Sequence, residues 1–325
     1  MDKSNIFDKP MHVLVDSEVK KLPQCFNNDS MMQHILSISK NLCSCKTTGF
    51  EFRLLPFDCV IDFQAGFRDF NSLDFKDWDQ LFESSYSQSV LQNHYCILSS
   101  ILKTNNIIFE FDIASTQRLK PCFFLDFPEG LTAIQLSRSL KSARQYDEGT
   151  LHQSLCDLIA ALDVLKRIEP SIRITSLGYM FRRYDQPVYR LNVYHKDISI
   201  IKKIANRLNC ADFQNWNIIE PFPYPVLALD LISSEHIILS GIELKPNIRW
   251  SDMLKRAIYN QTLDQLRYQM IDAFSPDQLL DWFKRLPCSR LERRSDYLQY
   301  ISHFKISISS GQFSSFKLYT RIDAY

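Results

Sequence analysis

One order of secondary-structure signals recurs along this chain: a stretch with apolar residues every three or four positions, then two short runs of strand-type composition. Residues Asn28 to Leu42 read as helix, with Met31, Ile35, Ile38 and Leu42 near one face and Asp29 as a cap. Strand-like Phe50 to Leu54 and Cys59 to Ala65 follow, divided by Pro56. Helical Lys76 to Leu102 precedes Ile107 to Ile113 and Cys122 to Phe127, and helical Ala133 to Leu140 and Thr150 to Arg167 precede Ile172 to Arg182 and Val188 to His195. Asp197 caps Ile198 to Leu208, after which Val226 to Ile232 and Ile237 to Leu244 form a fourth pair beyond Pro221, Pro223 and Pro225. Helical Trp250 to Phe274 and Pro276 to Leu286 lead to the last pair, Tyr300 to Ser309 and Phe313 to Ile322, joined through Gly311.

Hairpins separated by helices do not build a parallel sheet, which needs a crossover between successive strands. They do build an antiparallel sheet with its helices on one face, and about ten strands suffice to close that sheet on itself and remove its edges. The expected fold is therefore α+β, a closed antiparallel barrel of five helix-strand-strand units with the helices outside. Residues 1–27 read as a polar N-terminal segment and 28–325 as a single barrel domain. Two adjacent α+β domains with open sheets, divided near Pro221, are the competing arrangement.

Composition narrows the function. The chain has 325 residues, 45% of them hydrophobic, so it can bury a large core. Lys and Arg number 38 against 37 Asp and Glu, which gives no general attraction for nucleic acid or an anionic membrane. With only 7 scattered glycines there is neither a dinucleotide fingerprint nor a Gly-rich phosphate loop. The 9 cysteines are odd in number and fall in apolar segments apart from Cys43 and Cys45, as expected of reduced thiols. Neither a signal-like apolar run nor a membrane-length stretch is seen, which points to the cytoplasm.

If helices cover the outside of the barrel, the apolar parity of each strand must face them and the mixed parity must face the lumen. Ile107, Phe109, Phe111 and Ile113 then point outward and leave Glu110 and Asp112 inside. Tyr189, Leu191 and Val193 likewise leave Arg190, Asn192 and Tyr194 inside. Phe304, Ile306 and Ile308 oppose His303, Lys305 and Ser307, and Phe316, Leu318 and Ile322 oppose Lys317, Tyr319 and Arg321. The same parity puts Glu51, Arg53, Asp62, Asp126, Asp230, Glu243 and Lys245 inside. Charges of both signs in such number do not fill a dry core, because unpaired buried ions cost several kcal/mol each. The lumen is expected to be wet or occupied, unless this parity is the solvent face of an open sheet.

This architecture resembles the αββα-barrel (ABBA-type) prenyltransferases, whose ten antiparallel strands enclose a reaction chamber. The indole branch of that family repeats an Arg-x-Lys-x-Tyr strand motif; here Arg190-x-Asn192-x-Tyr194 and Ser315-x-Lys317-x-Tyr319 each lack one cation of it. In length, and in lacking strict motifs, the chain is similar to the cyanobactin-type peptide prenyltransferases. The resemblance implies transfer of a dimethylallyl or longer isoprenyl group from its diphosphate to a peptide side chain or small aromatic acceptor. Arg53, Arg190, Lys245, Lys305, Lys317 and Arg321 are the candidate diphosphate ligands, because several Lys or Arg donors are needed to hold the group. Tyr194 and Tyr319 are candidates to shield the allylic cation, each such contact being worth roughly 0.5–2 kcal/mol when desolvated. Glu51, matched by topology to a first-strand glutamate of the indole branch, is the candidate base. Glu110, Asp112, Asn192, Glu243 and His303 complete the set of lumen candidates. No Asp-rich diphosphate motif occurs, so no protein metal site is expected and Mg²⁺ enters only with the diphosphate. A different peptide- or metabolite-modifying enzyme on the same barrel, or a non-catalytic binding or scaffold protein of a biosynthetic pathway, are the alternatives.

Overall fold

In a computed structural model of the chain, ten antiparallel strands close into one barrel, in the order β1-β10-β9-β8-β7-β6-β5-β4-β3-β2. The structure describes residues 9–23, 26, 29–42, 45, 47–54, 59–67, 98–100, 102–104, 106–113, 121–144, 151–180, 188–208, 216–233, 236–246, 250–267, 276–292, 296–309 and 312–323. The strands are β1 Thr47–Leu54, β2 Cys59–Phe67, β3 Ile107–Phe111, β4 Pro121–Thr132, β5 Arg173–Met180, β6 Val188–Tyr194, β7 Tyr224–Leu231, β8 Ile237–Lys245, β9 Tyr300–Ser309 and β10 Gln312–Asp323. The described helices are α1 Met11–Val19, α2 Asp29–Asn41, α3 Ala133–Arg144, α4 Leu151–Ile168, α5 Ile198–Arg207, α6 Trp216–Ile219, α7 Asp252–Arg267 and α8 Pro276–Arg285. Most of the stretch read as helix between Lys76 and Leu102, and the Gly311 turn, lie outside the described residues. Two separate open sheets are thereby excluded. Among the described residues no helix is long and apolar enough to cross a membrane.

The expected inversion of the barrel holds at every described hairpin. Phe50, Phe52, Phe63, Phe109, Phe111, Phe123, Leu191, Leu227, Phe304 and Phe316 point outward and are fully buried, together with Leu158 and Leu162 of α4, Ile201 and Ile204 of α5 and Phe283 of α8. The main hydrophobic core is therefore a sleeve between barrel and helices. Asp197 caps α5 as its sequence implies, its side chain accepting the Ser199 N–H at 2.8 Å.

The N-terminal segment departs from its polar reading. Met11, Leu14 and Val15 follow helical spacing and are buried, and Phe26 packs against Phe52 at 5.0 Å between ring centroids. Polar residues dominate the average of this stretch, but a few apolar ones at the right interval are enough to dock it.

Phe52 is the aromatic hub of this region, with Trp282 at 5.2 Å and Phe283 at 6.0 Å besides Phe26. Phe52→Ala is expected to cost about 3–5 kcal/mol. Urea unfolding should show a lowered midpoint at an unchanged slope.

Candidate active site

The lumen wall carries its functional groups in rows set by strand register. On β1, β10 and β9, Arg53 faces Lys317 and Lys317 faces Lys305, and on β8 Glu243 faces Lys305. One step along the strands, Glu51 faces Tyr319 and Tyr319 faces His303. Two lysines placed directly opposite each other repel. Here each has a carboxylate from the flanking strand: Lys317 pairs with Glu51, and Lys305 lies 3.8 Å from Glu243. Gly241 makes room for this, since a Cβ there would meet Cε of Lys305 at 2.8 Å and the Ile306 carbonyl at 2.7 Å.

Arg53 is surrounded by acid. It pairs with Asp62 and Asp112 and reaches Glu51 at 3.2 Å. Burial works against its charge, but Asp62, Glu51 and Asp112 outweigh that and raise its pKa. Burial also pushes the Asp62 carboxyl well above the usual carboxylate range, with Glu51 and Asp112 adding to the effect and Arg53 opposing it. Asp62 also accepts the Ile113 N–H at 3.2 Å, and Gln64 donates to Glu110 at 3.2 Å.

His303 and Tyr319 stack face to face, with centroids 4.2 Å apart and planes 9° from parallel. Burial, reinforced by Lys245 and Lys305 against the opposing charge of Glu243, lowers the His303 pKa to about 3. Burial and the Glu51 charge raise that of Tyr319, which also hydrogen-bonds Glu51. At neutral pH the stack is thus a neutral imidazole on a neutral phenol, bordered by lysines. Glu243 behaves oppositely: burial resists its ionisation, but Lys245 at 3.0 Å and Lys305 hold the carboxyl below its ordinary range.

The remaining candidates divide by location. Arg190 is 1% exposed and committed to Asp230 by two bonds of 2.5 and 2.6 Å, with a third to Ser240 at 2.9 Å. Arg321 sits at the barrel end, half exposed, bound to Asp323 at 2.7 Å and Thr47 at 2.9 Å. Tyr194 occupies the last pair of β6 and meets the ring of Tyr224 edge-on at 5.7 Å. The structure brings Arg53, Lys305, Lys317, Glu51, Tyr319 and His303 together, with Lys245 beside them through Glu243. It does not bring Arg190, Arg321 or Tyr194 into that group.

Sequence parity did not single out the apolar sector of the same lumen. Cys122, Phe124, Met180 and Val188 form a small buried cluster with Ile108 and Ile232 at its margin. Gly178 is the signal that could have revealed it, because a glycine inside a strand marks a close approach. A Cβ at Gly178 would lie 2.5 Å from the Phe124 ring. Among the described residues no group of three or more His, Cys, Asp or Glu is arranged to hold a metal ion.

No protein-family model matches the sequence, nor does any curated protein. Solved structures do match. NotF in complex with brevianamide F and DMSPP aligns over 97% of this chain and 94% of its own at 10% identity, with a TM-score of 0.60. Prenyltransferase PriB in its apo form gives 98%, 97%, 12% and 0.58 for the same measures, and AnaPT from Neosartorya fischeri gives 97%, 92%, 10% and 0.57. The fold is the αββα prenyltransferase barrel. At such low identity the shared barrel is what these likenesses establish, and residue roles rest on the geometry of this chain.

Arg190 and Asp230 give a direct test of the wall. Asp230→Leu leaves a buried guanidinium without its carboxylate and is expected to cost about 3–5 kcal/mol, whereas Arg190→Met with Asp230→Leu should recover most of that loss. Denaturant titration of the three proteins measures both. A double variant as unstable as the single one would show that the pair does more than neutralise itself.

Proposed function

We propose that this protein is a prenyltransferase that moves a dimethylallyl or longer isoprenyl group from its diphosphate to an electron-rich acceptor, a small aromatic or a peptide side chain. The observation that carries this reading is the juxtaposition of Lys305 and Lys317 on neighbouring strands, 3% and 5% exposed, with Arg53 next in the row. Like charges are not kept side by side in a buried wall for stability. An incoming diphosphate gives them a common partner. The fold agrees: the PriB ternary complex holds L-tryptophan and dimethylallyl thiolodiphosphate, and its structure aligns over 97% of this chain with a TM-score of 0.56.

In this reading Lys305 and Lys317 hold the diphosphate oxygens, supported by Lys245 and Arg53, while Arg190 holds the wall. The allylic C–O bond breaks, the electron pair leaves with the diphosphate, and the cation forms beside the Tyr319 and His303 rings. Their neutrality matters, since a protonated His303 would repel the cation that the stack faces. The acceptor attacks the allylic carbon and Glu51 takes the proton released. Tyr319 donates its hydrogen bond to Glu51 and so aims the carboxylate.

Charge balance bears on the metal. Glu51, Glu110, Asp112 and Glu243 stand among the cations and take up part of the charge a diphosphate would need. Mg²⁺ carried on the diphosphate would supply the balance as part of the donor substrate. We therefore expect dimethylallyl thiolodiphosphate to bind more tightly with Mg²⁺ than with a chelator.

Calorimetric titration with that analogue tests the assignments. Lys317→Ala is expected to weaken binding about thirtyfold, corresponding to about 2 kcal/mol. Tyr319→Leu should leave donor affinity within about twofold while diverting more of the prenyl group to the alcohol during turnover. Glu51→Gln should lower turnover without weakening the donor, because it acts on the acceptor's proton. If Lys317→Ala binds the analogue as the parent does, the diphosphate site lies elsewhere.

A further inference from the structure

Outside the barrel, α4 and α5 both lie against β7 and border a groove of about 300 Å³, lined by Val164, Arg167 and Ile168 of α4 and by Lys203 and Arg207 of α5. Its two walls differ in chemistry. Val164 and Ile168 stand one turn apart on α4, half-buried and packed against the sleeve of core residues. Lys203 and Arg207 stand one turn apart on α5, and both are exposed, as is Arg167 at the edge of the apolar wall.

The acids that could neutralise these cations are engaged elsewhere. Asp163 gives Arg167 only its backbone carbonyl, at 3.3 Å, while its carboxylate lies 3.6 Å from Lys141. Glu169 lies 3.8 Å from Lys203, but it accepts the Ser171 hydroxyl at 2.6 Å and the Ser171 N–H at 3.3 Å. Neither Arg167 nor Arg207 makes an ion pair within 4.0 Å among the described residues. The preceding residue on α5 shows the contrast: Lys202 pairs with Glu220 at 3.0 Å and stands 5.4 Å over the Trp216 ring. Cations in a last helical turn complement the helix dipole, which accounts for Arg167 and Arg207 taken singly. It does not account for Lys203, placed earlier in α5, nor for a cationic wall set against an apolar one.

We propose that this groove docks an acidic amphipathic helix of a partner protein, with its apolar residues on Val164 and Ile168 and its carboxylates on Arg167, Lys203 and Arg207. A purely ionic ligand would leave the apolar wall unused, and a purely apolar one would leave three cations without a counter-charge. A helix with one apolar and one acidic side meets both walls at once. The footprint is small, so the contact is reversible and serves recruitment rather than permanent assembly. Because the groove lies outside the barrel, the inference is independent of what the lumen binds.

A fluorescein-labelled synthetic helix, with leucines three and four apart on one face and glutamates flanking them, tests this on the full-length protein by fluorescence anisotropy. One control peptide carries Gln for every Glu, the other Ser for every Leu. The acidic helix should bind about tenfold or more tightly than either control, and added salt should weaken it far more than the Gln control. Lys203→Gln with Arg207→Gln should remove about tenfold from the acidic helix and leave the Gln control within about twofold. Ile168→Ser should weaken the acidic helix about fivefold and leave the Ser control within about twofold. The charge variants lie at exposed positions, so unchanged thermal melting shows that their effect is on binding. The proposal is overturned if the acidic helix binds no more tightly than the Gln control, absence of binding included, or if neither variant weakens it. Displacement of the probe by inorganic pyrophosphate, with the Ser control bound as well as the acidic helix, would assign the groove to a small anion and also overturn it. So would a dimer in sedimentation that the charge variants disperse, since a second copy of the chain would then be the occupant.

Discussion

The pairing of β1 with β10 is the contact on which the rest of the molecule depends. It joins residues 47–54 to 316–323 and turns an open sheet into a barrel. The same ladder places Glu51 against Tyr319 and Arg53 against Lys317. Closure and site assembly are therefore one event: neither the Glu51–Tyr319 contact nor a third cation beside the lysines exists until residues 47–54 meet residues 316–323. Loop closure over so long a separation is entropically costly, and the apolar sleeve outside the barrel supplies the compensating burial. Gly49 takes part directly, since a Cβ there would collide with the Thr320 carbonyl at 2.1 Å.

Turning the barrel inside out has an energetic consequence. Its hydrophobic core lies outside the strands, under the helices, so the lumen is released from the need to be apolar. Charged side chains can then line it, provided that each is compensated. Arg190 with Asp230 is such a compensated group, and it behaves as structure. Lys305 and Lys317 share their carboxylates with other cations: Glu243 serves Lys245 as well, and Glu51 serves Arg53. That sharing separates the two lysines from Arg190, whose carboxylate partner Asp230 binds it with both oxygens.

Much of this was legible in the sequence. Five recurrences of helix, strand, strand led to the topology, and strand alternation placed Glu51, Arg53, Lys305, Lys317 and Glu243 inside. Alternation assigns a face and nothing more. It treated Arg190 and Lys317 alike, although one is locked by Asp230 two-handed and the other borders a second lysine, and that distinction depends on register across strands far apart in the chain. It also passed over α1, where Met11, Leu14 and Val15 dock a segment of polar average composition. The apolar lumen sector escaped for a similar reason. Cys122, Phe124, Met180 and Val188 come from three strands, and only their pairing makes them a patch.

The division of the lumen into sectors bears on how an allylic cation would survive there. Cations on β9, β10 and β1 line one wall, the neutral His303–Tyr319 stack lies beside them, and the Phe124 sector faces them from β3 to β6. In the proposed reaction a cation formed at the lysine wall is repelled by those lysines once the diphosphate shields them less, and the His303–Tyr319 stack and the Phe124 sector offer it uncharged surfaces. Its path then leads away from the leaving group, toward the Phe124 sector. An apolar sector set opposite the cations would let one chamber bind a highly charged donor and still draw its carbon electrophile away from the leaving group.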